Sequence, residues 1–234
     1  MECPQNLAFS KKRFPRRSRM SPFLICPFAG GRVGAFLGNG YNALERGFAM
    51  KKCLILLAEG FEETEAIVVH DVLTRTAEAE VTLSSVSDQR EVVSSMGLRV
   101  KADAVLSKIN PADYSFVVLP GGKRGVANLH SSSTIAFLRA FHQARKPIYA
   151  ICAAPSILGE LGYLDGKKFT CFPGFQKGNG AYQDVGVVND GGLITGRAMA
   201  YAVSFAEEIV LKEFGEAALA HIKPGMYGTM ALPR

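Results

Sequence analysis

Cys152 directly follows the apolar run Pro147-Ile148-Tyr149-Ala150-Ile151 and precedes Ala153-Ala154-Pro155, which opens a helical stretch. A cysteine at such a strand-to-helix turn presents its sulfur above the sheet edge, where the positive end of the helix favours thiolate over thiol. This is the layout of a nucleophile elbow. Ala153 and Ala154 are small enough for close packing, and Pro155 suits a first helical turn because its missing donor is one the helix leaves unpaired anyway. Most free cysteines are simply small buried hydrophobes, and that alternative stays open for Cys152 taken alone.

Glu65 is the second candidate. A carboxyl near the start of a buried helix and beside a thiolate is expected to have a raised pKa and to sit protonated, donating a hydrogen bond to sulfur. Glu62 and Glu63, in the same turn, read instead as compensation of the helix dipole or as solvated acids. The third element is Gly121-Gly122, whose backbone amides, with that of Ala153, are placed to stabilise an oxyanion. Glycine pairs after strands are also ordinary turns. His70, His130, His142 and His221 are scattered, and none neighbours Cys152 in sequence. The five cysteines form no CxxC pair, so neither a zinc site nor a disulfide framework is expected. Gly178-Asn179-Gly180 and Gly186 follow no strand-to-helix phosphate pattern, so no nucleotide fingerprint is read and no cofactor is expected.

The elements that must position these residues are legible from periodicity. Lys52 to Ala58 is a continuous apolar run, the pattern of a strand buried on both faces. A helix follows, with acids in its first turn and Ile67, Val68, Val72 and Leu73 at helical spacing. Glu80–Val86, Ser115–Pro120, Pro147–Ile151 and Gly192–Thr195 read as further strands. Helices are expected over Ser133–Arg145, from Ala153, and from about Tyr201 to Phe214. Strands alternating with helices predict an α/β sandwich of three layers, with a mostly parallel sheet, helices on both faces and functional groups at the carboxyl ends of the strands.

Charge divides the chain unevenly. Residues 1–49 carry eight Lys/Arg against two acids, whereas 50–234 carry 19 of each, so the formal net charge of +6 resides in the leader. A basic pI, which would ordinarily suggest nucleic acid or an anionic membrane, is therefore a property of the leader alone. The body is formally neutral; no nucleic acid and no membrane is expected as a partner, and a cytoplasmic location is the default. The leader reads in three ways: upstream sequence translated in silico ahead of a start at Met50, an organelle transit or secretory segment, or a basic anchor. Residues 50–234 are expected to form one domain.

Three stretches now combine. Ala58-Glu59-Gly60-Phe61-Glu62-Glu63-Thr64-Glu65-Ala66, Val118-Leu119-Pro120-Gly121-Gly122 and Ala150-Ile151-Cys152-Ala153-Ala154-Pro155 resemble, in order and spacing, the signatures of the DJ-1-like branch of the DJ-1/ThiJ/PfpI superfamily. The resemblance implies a flavodoxin-like fold, usually a homodimer, with Cys152 as the elbow cysteine and Glu65 as its partner. It also implies ready oxidation of the cysteine to a sulfinate held by Glu65. Activities it implies are glutathione-independent glyoxalase III or deglycase chemistry on α-oxoaldehydes such as methylglyoxal or their early adducts. Redox-sensing and chaperone roles are the alternative.

The sequence departs from the family pattern in three places. Phe172, in Thr170-Cys171-Phe172-Pro173, stands where many members have a histidine that can shuttle protons. Met96 stands where an arginine is common, and Ala198-Met199-Ala200-Tyr201 replaces a Gly-Pro-Gly-Thr stretch. Ala153, rather than histidine, after Cys152 sets the chain apart from the intracellular peptidase branch.

Overall fold

The computed structural model describes residues 50–229, so the three readings of the leader lie outside the described residues. Strand β1 (Lys51–Leu57) leads to α1 (Glu63–Arg75) and β2 (Ala79–Ser85); a hairpin, β3 (Glu91–Val93) and β4 (Arg99–Lys101), and the short β5 (Ala104–Val105) follow. Next come β6 (Phe116–Leu119), α2 (Lys123–Leu129), α3 (Ser132–Gln143), β7 (Ile148–Ile151) and α4 (Pro155–Glu160). The chain closes with β8 (Lys168–Phe169), β9 (Ala181–Tyr182), β10 (Val187–Asp190), β11 (Leu193–Gly196) and α5 (Ala202–Tyr227).

The central sheet has the order β10-β11-β7-β6-β1-β2-β5 and is parallel except for the edge pair β10–β11. Alternation along β1 feeds two cores. Cys53, Ile55 and Leu57 pack with α1 and α5, whereas Leu54 and Leu56 pack with residues of α2, α3 and α4 on the other face. This is the expected three-layer, flavodoxin-like sandwich. The sheet starts in its middle, winds outward through β2 and then returns on the far side of β1 to β6 and β7. The crevice outside the carboxyl ends of β1, β6 and β7 is the topological switch point, where open α/β sheets place their sites.

Local chemistry fixes the helix ends. Glu62 caps α1 by accepting from the Thr64 amide at 3.4 Å, and Ser131 caps α3 by accepting from Thr134 at 3.2 Å. At the opposite end of the sheet, the Tyr149 hydroxyl donates to Glu213 at 2.5 Å and Lys51 Nζ donates to the same carboxylate at 2.8 Å, tying β7 and β1 to α5.

The last helix runs beyond the expected end at Phe214. Gly215, at φ 86°, interrupts it without ending it, and helical structure resumes to Tyr227. Residues 216–222 are rich in alanine, with Ala218 and Ile222 buried, and burial carries the helix past the break.

Candidate active site

Cys152 has φ 63°, the left-handed region that a non-glycine residue enters at a cost of about 1–3 kcal/mol. Two hydrogen bonds hold it there. Its amide donates to Gly196 O at 2.8 Å, at the end of β11, and its carbonyl accepts from the Phe172 amide at 2.7 Å. The strand-to-helix turn is thus clamped from two directions, and its side chain is half-buried rather than sealed in the core.

Glu65, in the first turn of α1, is fully buried. Its Oε2 accepts from the Gly121 amide at 2.7 Å, while Oε1 has no partner among the described residues. Gly121 lies against both groups: a β-carbon on it would lie 2.7 Å from Cys152 Cβ, 2.9 Å from Glu65 Oε2 and 3.0 Å from the Ala153 amide. Only a residue without a side chain lets β6 bring the carboxyl and the sulfur together. Gly122, at φ 86°, is held as closely, since a β-carbon there would meet Gly60 O at 2.5 Å.

Burial pushes the Glu65 carboxyl up to about 7, against the opposing effects of the Gly121 amide and the Cys152 thiol. It also pushes the Cys152 thiol up to about 12; the charge on Glu65 adds to the rise, while the Gly122 and Ala153 amides oppose it. The amide of Ala153, at the start of the helical segment, does act to favour thiolate as expected, but burial and the charge on Glu65 outweigh it. The two groups share a site that accommodates one negative charge. Thiolate forms most readily when Glu65 holds the proton.

The amides expected to face an oxyanion divide. Those of Gly122 and Ala153 lower the pKa of Cys152 and so point to negative charge at sulfur. The Gly121 amide is committed to Glu65 instead. Glu62 and Glu63 lie outside this centre, bridged by the Ser95 hydroxyl at 3.0 and 2.9 Å. The hairpin that carries Ser95 also donates the Ser95 amide to Phe61 O at 2.8 Å and so buttresses the loop before Glu65. Its turn signal, Ser94-Ser95-Met96-Gly97 between apolar flanks, was visible in the sequence.

Among the histidines, His130 pairs with Glu160 at 2.7 Å and His142 stacks on Tyr163. Phe172 is 44% exposed, edge-on to Phe175. Among the described residues no group of three or more His, Cys, Asp or Glu side chains is arranged to hold a metal ion.

Fold and site together define a doubly wound α/β protein with an elbow cysteine backed by a buried carboxyl. The chain belongs to the DJ-1/PfpI family, whose model matches residues 51–212. It is 36% identical over 166 residues to Protein DJ-1 homolog B of Arabidopsis thaliana, covering 69% of this chain and 38% of that protein, so it spans well under half of this relative. It is 29% identical to Deglycase PH1704 of Pyrococcus horikoshii, covering 68% of this chain and 97% of the relative. A DJ-1 superfamily protein of Salmonella typhimurium superposes with a TM-score of 0.72 at 35% identity, over 78% of this chain and all of the other.

Proposed function

We propose that this protein is a cysteine enzyme of the glyoxalase III or deglycase type, acting without glutathione on α-oxoaldehydes such as methylglyoxal or on their early adducts. The observation that carries the reading is Cys152, held in a left-handed turn beside the buried Glu65. The deglycase name of the Pyrococcus relative supports the same class.

Cys152 Sγ attacks the aldehyde carbon as its proton passes to Glu65; the Gly122 and Ala153 amides stabilise the oxyanion formed, and Glu65 then protonates that oxygen, giving the neutral hemithioacetal and an ionised carboxylate. Glu65, titrating near neutrality, takes the proton from that carbon and returns it to the neighbouring carbonyl carbon. The product is a thioester, which water cleaves to a 2-hydroxy acid and free thiol. The sum is α-oxoaldehyde plus water giving 2-hydroxy acid, the adjacent carbonyl being reduced as the aldehyde carbon is oxidised, with no external oxidant.

Conversion of methylglyoxal to lactate by wild type, Cys152→Ser and Glu65→Gln, at several enzyme concentrations, tests this. The wild-type rate should scale with enzyme, Cys152→Ser should abolish it, and Glu65→Gln should lower it by roughly 10²–10⁴-fold. Equal rates for all three would overturn the reading.

Phe172 favours a second reading, a redox sensor or redox-regulated chaperone, because a phenyl ring cannot relay protons. Two equivalents of peroxide would convert the Cys152 thiol to a sulfinic acid with release of two waters, and protonated Glu65 would donate to a sulfinate oxygen. Cys152 is half-buried while Cys53 and Cys171 are sealed in the cores, so intact mass after peroxide titration should show two oxygens on Cys152 first. Unselective oxidation would count against it.

A homodimer is part of the same proposal. Ile67 and Val203 are exposed along the groove between α1 and α5, where a second copy would cover them. Ile67→Glu with Val203→Glu should then shift elution on a sizing column to the monomer volume.

A further inference from the structure

At the opposite end of the sheet from Cys152, a cleft of about 790 Å3 opens between the amino ends of β7 and β11. Ile148 and Leu193 form its floor, and Arg145, Lys146, Lys167, Lys212 and His142 line it; no carboxylate does. This is unusual in a body whose charges balance, 19 against 19. Lys146 is already engaged, donating to three backbone carbonyls, of Pro111, Ala112 and Tyr114, at 2.7 to 2.8 Å. Lys167, Lys212 and Arg145 form no ion pair among the described residues.

Two of these cations converge on one turn. Gly191 and Gly192, between β10 and β11, have φ of 62° and 94°. A β-carbon on Gly191 would lie 3.4 Å from Lys167 Nζ, and one on Gly192 would lie 3.1 Å from Lys212 Nζ. The bare turn thus lets two ammonium groups approach adjacent residues, with the Arg145 guanidinium on the same cleft. Arg145 and Lys212 are exposed and Lys167 is half-buried, so a small anion entering the cleft would meet like charges gathered on one concave surface and relieve their mutual repulsion. One wall is a planar pair, His142 stacked on Tyr163 with centroids 3.7 Å apart and an 8° tilt.

We propose that this cleft is a binding site for a small molecule carrying two or more phosphoryl charges. Its volume falls within the roughly 300–1,000 Å3 of small-molecule sites, too confined for a duplex, and ammonium groups on a bare turn suit phosphoryl oxygens. The site is separate from the proposed catalytic centre. Ile148, at its floor, is four residues along β7 from Cys152, or about 13 Å at 3.3 Å per residue.

The test is calorimetric titration of the full chain with inorganic pyrophosphate and, separately, ATP, at low and high salt. Wild type should bind one equivalent saturably, and Lys167→Glu with Lys212→Glu should weaken binding by at least about tenfold. The neutral pair Lys167→Gln with Lys212→Gln should give an intermediate loss. Lys101→Glu, which removes the same charge from β4, should bind as wild type. Because the basic leader is present in every variant, equal binding by wild type and the double glutamate variant would overturn the proposal, as would failure to saturate. Duplex DNA bound in a way that depends on both lysines but is not displaced by pyrophosphate would instead assign the cleft to nucleic acid and overturn it equally.

Discussion

The Glu65 carboxylate accepts from the Gly121 amide through Oε2 in a 2.7 Å hydrogen bond. That bond fixes which Glu65 oxygen is spent on structure, and it leaves the buried Oε1 without a partner among the described residues.

Gly121→Ala should be more damaging than its size suggests. The added methyl would meet Cys152 Cβ, Glu65 Oε2 and the Ala153 amide, all at 3.0 Å or less. Overpacking of this kind costs about 1–3 kcal/mol. Thermal unfolding should show a lowered Tm, and the thiol should lose its selective response to peroxide. An unchanged Tm would mean that β6 can yield at this point.

Glu65→Gln should reveal a pH-dependent strain. Burial raises the folded-state pKa from 4.5 to about 7, so the folded protein holds this proton more tightly than the unfolded chain does. The stability tied to the protonated form is fully present below about pH 4.5 and is lost as the pH rises through 7, by up to roughly 3 kcal/mol. Glutamine keeps an acceptor for Gly121 and never ionises. Its Tm relative to wild type should therefore rise between pH 5 and pH 8; a constant difference would refute the argument.

Phe172→His should raise methylglyoxal turnover by roughly tenfold or more and introduce a pH limb near the imidazole pKa of about 6.5. The Phe172 amide is already hydrogen-bonded to Cys152 O, so the substituted ring would enter a place the backbone has fixed. A rate and profile identical to wild type would show that proton relay at this position is not limiting.

Glu213→Ala should lower stability by about 1–3 kcal/mol in chemical denaturation, because it leaves the buried Tyr149 hydroxyl without an acceptor. Tyr149→Phe, combined with it, should recover part of the loss. A double variant no better than the single one would locate the cost in Lys51 instead.

The strands and the elbow were legible because buried parallel strands are continuous apolar runs, and β1, β6 and β7 lie close to where those runs fall. Cys152, Glu65 and Gly121 could be grouped because each follows such a run. The thiol's pKa could not be read in the same way. The charge on sulfur depends on desolvation by residues distant in sequence and on the charge of Glu65, which together outweigh the Gly122 and Ala153 amides. The hairpin β3–β4 and the pair β8–β9 were missed since strands of two or three residues carry no period to detect. Gly215 reads as a stop, and only the burial of Ala218 and Ile222 shows why helix resumes beyond it.

Both clamps on Cys152 come from later in the chain: Phe172 lies 20 residues on and Gly196 lies 44. A chain cut before β11 contains the cysteine, its glutamate, both glycines and Phe172 but lacks Gly196 O, and one cut before residue 172 lacks both clamps on the left-handed turn. Both hydrogen bonds are in place only when the last strand is laid down. The turn that holds Cys152 is thus complete only in a chain that has reached the end of the sheet.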